Sequence, residues 1–233
     1  MVSPRRLPPR KAVLAGGVVL VLLVASLATA AYSFLKPAAA PDAPVSAVPL
    51  ATQSGGSTYQ IQPTDSTARF IINEVLRGSP KTVVGSTNQV AGEIAFDPAQ
   101  PTSAQLGTIL VNARGLTTDD PQRTRALGNQ ILKTDQYEYI SFSPTQLSGL
   151  PQTVSTGQPF TFQAIGNLTI RGSTRPAQFE VTVTPDGDGS LNGLASTTIN
   201  YADWGVTIPN VPFVASVDNQ VVLQLEFNAE SRA

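Results

Sequence analysis

From residue 58 onward, short runs of alternating apolar and polar residues recur between clusters of Gly, Pro, Asn and Asp. Alternation of this kind places every second side chain on one face, as in a strand with one buried and one solvated face. Many short strands separated by turn residues are typical of an antiparallel sandwich or a closed barrel. The clearest predicted strands are residues 68–72, 90–96, 108–113, 160–170, 178–184, 191–200 and 221–227.

Glycine and alanine alternate with large apolar residues on the strand face that is predicted to point inward. The other face carries polar residues such as Gln163, Glu180 and Gln224, as a solvated face does. Inside a small barrel, such a mixture of small and large side chains either fills the interior or leaves space for a guest. Because small barrels often fill their own interior, the pattern alone favours a filled core.

One segment, residues 117–134, has helical rather than strand periodicity. Asp119 or Asp120 is the expected N-cap, and Pro121 suits the first turn of a helix. We expect this helix to close one mouth of the barrel with its apolar stripe. The residues of the stripe are Ala126, Leu127, Ile131 and Leu132.

The first 35 residues do not have the pattern of a globular domain. Residues 1–11 carry four basic residues and no acid, and residues 12–35 contain no charged residue. A run of this length supplies the roughly 20 apolar residues that a helix needs to cross a bilayer, so we expect an uncleaved transmembrane anchor. The alternative is a cleaved signal peptide, because Ala28-Thr29-Ala30 would serve as a cleavage site.

The predicted organisation is therefore an N-terminal membrane segment followed by one exported domain. Residues 36–56 are rich in Pro, Ala, Ser and Gly, which predicts a flexible linker. Residues 57–231 are enough for a single domain with its own core. The basic flank predicts a cytoplasmic N-terminus. We expect a single-pass protein of the cell membrane with an extracytoplasmic domain, or a secreted or periplasmic protein if the segment is cleaved.

Composition argues against several classes of function. Five of the fifteen basic residues lie before residue 37, which leaves ten against sixteen acidic residues and a net charge of about −6 in the exported part. A negative domain argues against nucleic acid as a partner and against the domain lying flat on anionic lipid. The chain has no Cys and no His, so disulfides, the commonest general base and the commonest transition-metal ligand are all missing. We therefore predict neither a metal nor a cofactor.

Several ordered segments resemble the YceI-like family. The most specific is residues 166–176, GNLTIRGSTRP, which is similar to the family's G-x-L-T-I-x-G-x-T-x-P hairpin. Weaker matches lie on both sides of this hairpin, in the same order as in the family. They are residues 59–61, 66–70, 84–85, 90–94, 115–119, 123, 131–132, 137, 140–142, 203–206 and 217–221. The resemblance implies an all-β fold, namely a single eight-stranded antiparallel lipocalin-like β-barrel with one short helix and an internal apolar tunnel.

The resemblance also implies that the lumen binds a polyisoprenoid or a related long-chain amphiphile, for sequestration or transport outside the cytoplasmic membrane. A phosphate head group would need cationic partners at a mouth, and Arg123 and Arg125 are the candidates. The alternative for both arginines is a solvated face on which they pair with Asp119 and Asp120. The expected tunnel wall consists of Phe70, Ile72, Ile94, Phe96, Phe142, Phe162, Leu168, Phe179, Ile199 and Phe227.

Two other functions compete with lipid binding. A hydrolase is disfavoured because the chain has no G-x-S-x-G elbow, no His and no obvious pair of neighbouring acids, so we predict no catalytic residue and no enzymatic activity. The serious alternative is a structural or interaction domain of the cell envelope with a filled core, since a closed barrel needs no ligand to be stable. The only tryptophan, Trp204, either gates one end of the barrel or packs within its loop. The sequence leaves the oligomeric state open.

Overall fold

A computed structural model describes residues 36–41, 43–50, 56–210 and 214–232. Within these residues the fold is all-β, with fourteen strands in one curled antiparallel sheet and one short helix. The predicted membrane segment, residues 12–35, lies outside the described residues, and the described part holds no helix that is long and apolar enough to span a bilayer. The strands are β1 (Ser57–Ile61), β2 (Thr67–Leu76), β3 (Ser79–Thr87), β4 (Val90–Ala91), β5 (Glu93–Phe96), β6 (Gln105–Leu106), β7 (Ile109–Asn112), β8 (Thr117–Thr118), β9 (Tyr139–Ser148), β10 (Phe160–Ile170), β11 (Ser173–Pro185), β12 (Ser190–Asn200), β13 (Val214–Val217) and β14 (Gln220–Ser231).

Antiparallel pairing between neighbours in sequence builds most of the sheet. Strands β9, β10, β11 and β12 pair in that order, and β14 then pairs with the full length of β12. On its other edge β14 has two partners, β2 along residues 222–226 and β1 along residues 229–231. The sheet therefore curls until its first and last strands are hydrogen-bonded to each other.

The described residues form fourteen strands, because local breaks divide several longer runs, and the eight strands that the resemblance implied stay a prediction. Gly92 separates β4 from β5, and the side chain of Ile109 fills the space that a Cβ at Gly92 would occupy. Short 3-10 turns at Pro63–Asp65 and Ala113–Gly115 separate β1 from β2 and β7 from β8. Breaks of this kind let a strongly curved sheet turn its corners.

The predicted strands differ in how well their bounds agree with the structure. β10 has the predicted bounds because its alternation is uninterrupted. β11 begins at Ser173 rather than at residue 178, because its pairing with β10 continues to the turn at Arg171 and Gly172. β3 was not among the clearest predictions, since its first residues are exposed and only its second half alternates between buried and solvated positions.

The predicted helix is present: α1 (Pro121–Ala126) continues as one turn of π-helix, Leu127–Ile131. Asp120 is its N-cap, and the Oδ1 atom of Asp120 accepts hydrogen bonds from the N–H groups of Gln122 at 2.7 Å and Arg123 at 3.1 Å. These backbone hydrogen bonds stabilise the carboxylate and lower the pKa of Asp120 below its ordinary value. The cap explains why the helix begins at this point of the chain.

Phenylalanine rings cover two glycines on the inward face. Gly85 faces Phe70 across β2 and β3, and Gly193 faces Phe227 across β12 and β14. A Cβ added at either glycine would collide with the facing ring. These glycines therefore make room for the barrel's own side chains, as a filled core requires at these two positions.

Gly166 is the inward glycine at which an added methyl group is expected to be least tolerated. It lies at a bulge between β9 and β10, where a Cβ would collide with the backbone oxygen of Ser143 and lie 2.7 Å from Pro144 Cα. Because backbone atoms cannot rotate away as a side chain can, we expect Gly166→Ala to lower the free energy of unfolding by about 3 kcal/mol, toward the upper end of overpacking costs. Urea denaturation measures this change.

The matched control is Gly187→Ala in the turn after β11. An added Cβ there meets only Thr156 Cγ2 at 3.8 Å, which is an ordinary contact. We expect this control to change the free energy of unfolding by less than about 0.5 kcal/mol. Equal values for Gly166→Ala and Gly187→Ala would contradict the close approach of β9 to β10.

Candidate functional site

An apolar cavity of about 270 Å³ occupies the interior of the curled sheet, and a smaller space of about 60 Å³ lies next to it. Ala195 on β12 faces Val181 on β11 and Leu225 on β14, so these three residues form a band across the wall. We call the wall that the two spaces share the waist. The waist consists of Leu106, Ile109, Val181, Ala195 and Leu225.

Each of the ten residues predicted to line a tunnel faces one of these two spaces. Strand parity identified nine of them, because period-two alternation assigns residues to the inward face of a curled sheet, and Phe142 came from the family resemblance. The larger cavity is lined by Phe70, Ile72, Phe142, Leu168, Phe179 and Ile199. The smaller one is lined by Ile94, Phe96, Phe162 and Phe227.

Aromatic packing takes up much of the interior around the smaller space. The ring centroid of Phe160 lies 6.0 Å from that of Phe96 and 6.1 Å from that of Phe162, both in stacked geometry. In the larger cavity, Phe142 and Phe179 contact each other edge to face at 4.8 Å. The rings therefore fill one end of the interior and leave open space at the other.

The helix and the loop after β12 cover the larger cavity. Three of the four stripe residues of the predicted helix contribute to its wall, namely Leu127, Ile131 and Leu132. In the loop after β12, Trp204 was the only residue singled out from the sequence, because isolated apolar residues in a loop carry no periodic signal. Its contributing residues are Tyr201, Val206 and Ile208.

One ion pair also lines the larger cavity. Glu74 Oε1 accepts a hydrogen bond from Arg123 Nη2 at 2.7 Å, and Arg123 Nη1 donates to Asp119 Oδ1 at 2.6 Å. The Glu74 side chain is 9% exposed and the Arg123 side chain is 21% exposed. Arg123 therefore reaches the cavity and also forms the pair with Asp119 that the sequence suggested. Its role toward a head group stays a prediction.

The second head-group candidate, Arg125, lines neither space. On the outer side of the ion pair, Lys81 Nζ donates to Asp119 Oδ2 at 2.7 Å. This hydrogen bond, and then the positive charge of Arg123, lower the pKa of Asp119 below its ordinary value. Asp119 therefore stays ionised at neutral pH, and the four side chains from Lys81 to Glu74 balance one another's charge.

Trp204 packs within its loop and lines neither space. It lies in the 3-10 turn Tyr201–Trp204, is 5% exposed, and donates from Nε1 to the backbone oxygen of Leu168 at 2.9 Å. This hydrogen bond fastens the loop after β12 to β10. Of the two interpretations offered for Trp204, its position agrees with loop packing.

The described part of the predicted linker contacts the barrel. The N–H of Leu50 donates to Glu93 Oε2 at 2.6 Å, and Val45 is buried. Ala38 lies against Gly128, where an added Cβ would be 2.8 Å from the Ala38 Cβ. That residues 36–56 form a flexible linker stays a prediction, while these three residues lie against the barrel. Their composition prevents them from building a core of their own, but it does not prevent them from packing on a neighbouring surface.

Comparison with known proteins matches residues 59–229 to the family model of the YceI-like domain. A UPF0312 protein of Shewanella oneidensis is 24% identical over 148 residues, which cover 61% of this chain and 73% of the relative. A UPF0312 protein of Yersinia pestis is 25% identical over 148 residues, which cover 61% of this chain and 71% of the relative.

Two solved structures share the fold. A polyisoprenoid binding domain from Saccharophagus degradans, implicated in plant cell wall breakdown, superposes with a TM-score of 0.58 at 12% identity, over 75% of this chain and 98% of its own. Burkholderia cenocepacia BcnA superposes with a TM-score of 0.57 at 14% identity, over 72% of this chain and 98% of its own. At these identities the likeness concerns the fold alone.

Proposed function

The chain belongs to the YceI-like family, and on that premise we propose that its domain binds a long-chain apolar lipid, a polyisoprenoid or a related amphiphile, inside the curled sheet. The observation that carries the proposal is the apolar cavity of about 270 Å³. A polyisoprenoid binding domain is among the structures with the same fold. Such a cavity shields a chain whose burial contributes about 0.8 kcal/mol per CH₂ group.

An empty apolar cavity lacks the packing contacts that a filled core makes. A lipid chain in the cavity would supply these contacts. The open space therefore supports lipid binding over a structural module with a filled core, in which the side chains would have closed the space.

The pairing between strand segments supports an enclosed lumen. Residues 90–96 pair with residues 105–112, because β4 pairs with β7 and β5 pairs with β6. Between these two pairings, the N–H of Gly107 donates to the backbone oxygen of Glu93 at 2.8 Å. On their other edge they pair with β1. We infer that the short strands join end to end into eight runs that close a lipocalin-like barrel. The runs are residues 57–76, 79–96, 105–118, 139–148, 160–170, 173–185, 190–200 and 214–231.

The polar head of the lipid would meet Arg123 and Glu74. Because Arg123 already binds two carboxylates, a phosphate would have to displace Glu74 or Asp119 from it. A hydroxyl or carbonyl head can instead accept from the guanidinium or donate to the carboxylate without separating the pair. Arg123 is therefore the head-group contact for an uncharged polar head, and Arg125 is a candidate only for a head that extends beyond the cavity.

The domain would act outside the cytoplasmic membrane as a non-catalytic carrier. The basic N-terminal residues followed by the uncharged run 12–35 support export, through an anchor or a cleaved signal. The cavity wall is almost entirely apolar, and the ion pair within it is internally balanced. Both features favour holding a lipid over chemistry on it.

Native mass spectrometry with lipid extraction and fragmentation tests the proposal. The full-length chain is purified from a host membrane fraction, because Ala38 and Leu50 contact the barrel. We expect a retained species of isoprenoid mass, and a higher unfolding temperature when delipidated protein is mixed with long-chain prenyl lipids. A clean apo mass together with an unchanged unfolding temperature would favour the structural module instead.

A further inference from the structure

The two ends of the curled sheet differ in charge. The strands alternate in direction, so several connections lie at the same end of the sheet, where α1 covers the larger cavity. These connections are the turns after β2 and β10, the helical segment after β8 and the loop after β12. This mouth end, defined as residues 74–81, 113–138, 171–175, 200–210 and 214–219, holds eight basic and seven acidic residues. The other described residues from residue 56 onward hold two basic and eight acidic residues. The negative charge of the domain is therefore concentrated away from the mouth end.

Three basic residues stand on the turns of the mouth end in a strained backbone conformation. Arg77, Lys133 and Arg171 have φ values of 50°, 53° and 50°, and within the described residues they are the non-glycine residues with positive φ. This left-handed region disfavours side chains with a Cβ, and Gly or Asn is usual there. A basic residue takes up this unfavourable backbone conformation at three separate turns. This indicates that the positive charge at these turns has a function.

The charges of Arg77, Lys133 and Arg171 are available for a binding partner. Arg77 and Lys133 are exposed, and in the described part of the chain neither pairs with a carboxylate. Arg171 donates to the backbone oxygen of Gly205 at 3.1 Å, and among the described residues no carboxylate pairs with it. Two exposed cations and one half-buried cation therefore lie at the same end of the sheet.

An exposed tyrosine lies between two of these residues. The N–H of Tyr137 bonds to Lys133 O at 3.0 Å, and its ring lies against Gly172, 2.7 Å from where a Cβ would stand. The residue is 37% exposed. Lys133, Tyr137 and Arg171 thus lie close together beside the larger cavity, with the exposed Asp135 in the same segment. Exposed tyrosines and basic side chains are the residues that proteins place at an anionic membrane–water interface.

We propose that the mouth end docks on an anionic lipid surface through Arg77, Lys133 and Arg171, with Tyr137 at head-group level. The net charge of about −6 does not prevent this, since screening over about 8 Å limits the interaction to charges close to the surface. The acidic end then faces away from the lipid. Ala38 also lies against Gly128 at the mouth end.

Single-cysteine labels test the docking, because the chain has no Cys. The full-length chain carries a fluorophore through Ser79→Cys beside Arg77, or through Ser155→Cys at the opposite end. Each is mixed with vesicles of phosphatidylcholine alone or of phosphatidylcholine with phosphatidylglycerol, both containing a quencher linked to the head group. We expect quenching of the Ser79→Cys label on the anionic vesicles, little on the neutral ones, and a loss of the effect at high salt. The Ser155→Cys label should be quenched on neither.

A charge-removing variant measures the contribution of the strained residues. Arg77→Asn combined with Lys133→Asn keeps side chains that tolerate a left-handed backbone. We expect this pair to weaken docking on anionic vesicles about 30-fold, and to leave the unfolding temperature unchanged or raised. The matched control, Gln152→Glu with Gln158→Glu, makes the same change in net charge on an exposed loop at the opposite end and should dock like the unmodified chain.

Four results would overturn the proposal: no quenching at all, equal quenching on neutral and anionic vesicles, quenching of the Ser155→Cys label, or unchanged docking of the Asn variant. The proposal does not require that the cavity hold lipid, because a filled barrel can dock as well. Lipid retention is therefore measured on the same variants by native mass spectrometry and is expected to be unchanged. A failure of docking and a failure of lipid binding are thus told apart.

Discussion

Ala195→Phe is expected to reduce lipid retention by about tenfold or more while the domain stays folded. Ala195 lies in the waist, between Val181 and Leu225, and borders both spaces of the lumen. A phenyl ring there would divide the lumen and exclude part of the lipid chain. Excluding even two CH₂ groups removes about 1.6 kcal/mol of burial, which is already about tenfold in affinity. Because the ring enters existing space, the stability cost should not exceed about 2 kcal/mol.

The adjacent residue of the same strand provides the control for this substitution. Leu194 points outward and is 40% exposed, so Leu194→Phe adds an aromatic ring to the outer face of β12. Native mass spectrometry of the two full-length variants gives the lipid-bound fraction, and urea denaturation gives the stability. If Ala195→Phe retains as much lipid as Leu194→Phe, the lipid does not lie in the lumen.

Glu74→Leu is expected to lower the free energy of unfolding by about 3 kcal/mol. It leaves the Arg123 guanidinium, 21% exposed at the wall of an apolar cavity, without one of its two carboxylate partners. Breaking a buried ion pair from one side costs about 3–5 kcal/mol, and the remaining contact with Asp119 places this case at the low end. Combining Glu74→Leu with Arg123→Met removes both charges, so the double variant should return to within about 1 kcal/mol of the unmodified chain.

An exposed salt bridge in the same network shows how much of the expected effect of Glu74→Leu is due to burial and how much to charge. Lys81 and Asp119 are 34% and 55% exposed, so Lys81→Met should cost less than about 1 kcal/mol. The measurement is a set of urea unfolding curves for the two single variants, the double variant and Lys81→Met. Additive losses in the double variant would show that Glu74 and Arg123 do not depend on each other, contrary to the geometry of the site.

Local periodicity predicted the parts of the site that lie on strands. Alternation of side chains across a strand is fixed by backbone geometry, so Phe70 and Leu168 could be assigned to the interior without coordinates. The same reasoning assigned Asp120 as an N-cap candidate and Leu127 to an apolar stripe, because helix signals also act within one turn. These properties depend only on neighbours in the sequence.

Contacts between residues that are distant in the sequence could not be predicted from the sequence. Whether a glycine leaves free space depends on the residue across the sheet, and at Gly85 that residue is Phe70. Glu74 and Arg123 are 49 positions apart, so no local pattern indicated their pairing. Leu50 bonds to Glu93, although its segment has the composition of a free linker.

The amino-acid sequence by itself therefore determined most of the long strands, their inward face, and the position and apolar stripe of the helix. The tertiary structure alone decided how much of that lumen is empty, which charges line it, and that the basic residues collect at one end. The physical reason is that element type and facing follow from the local repeat of the backbone. Volume, charge pairing and charge distribution follow from which distant segments the curled sheet brings together.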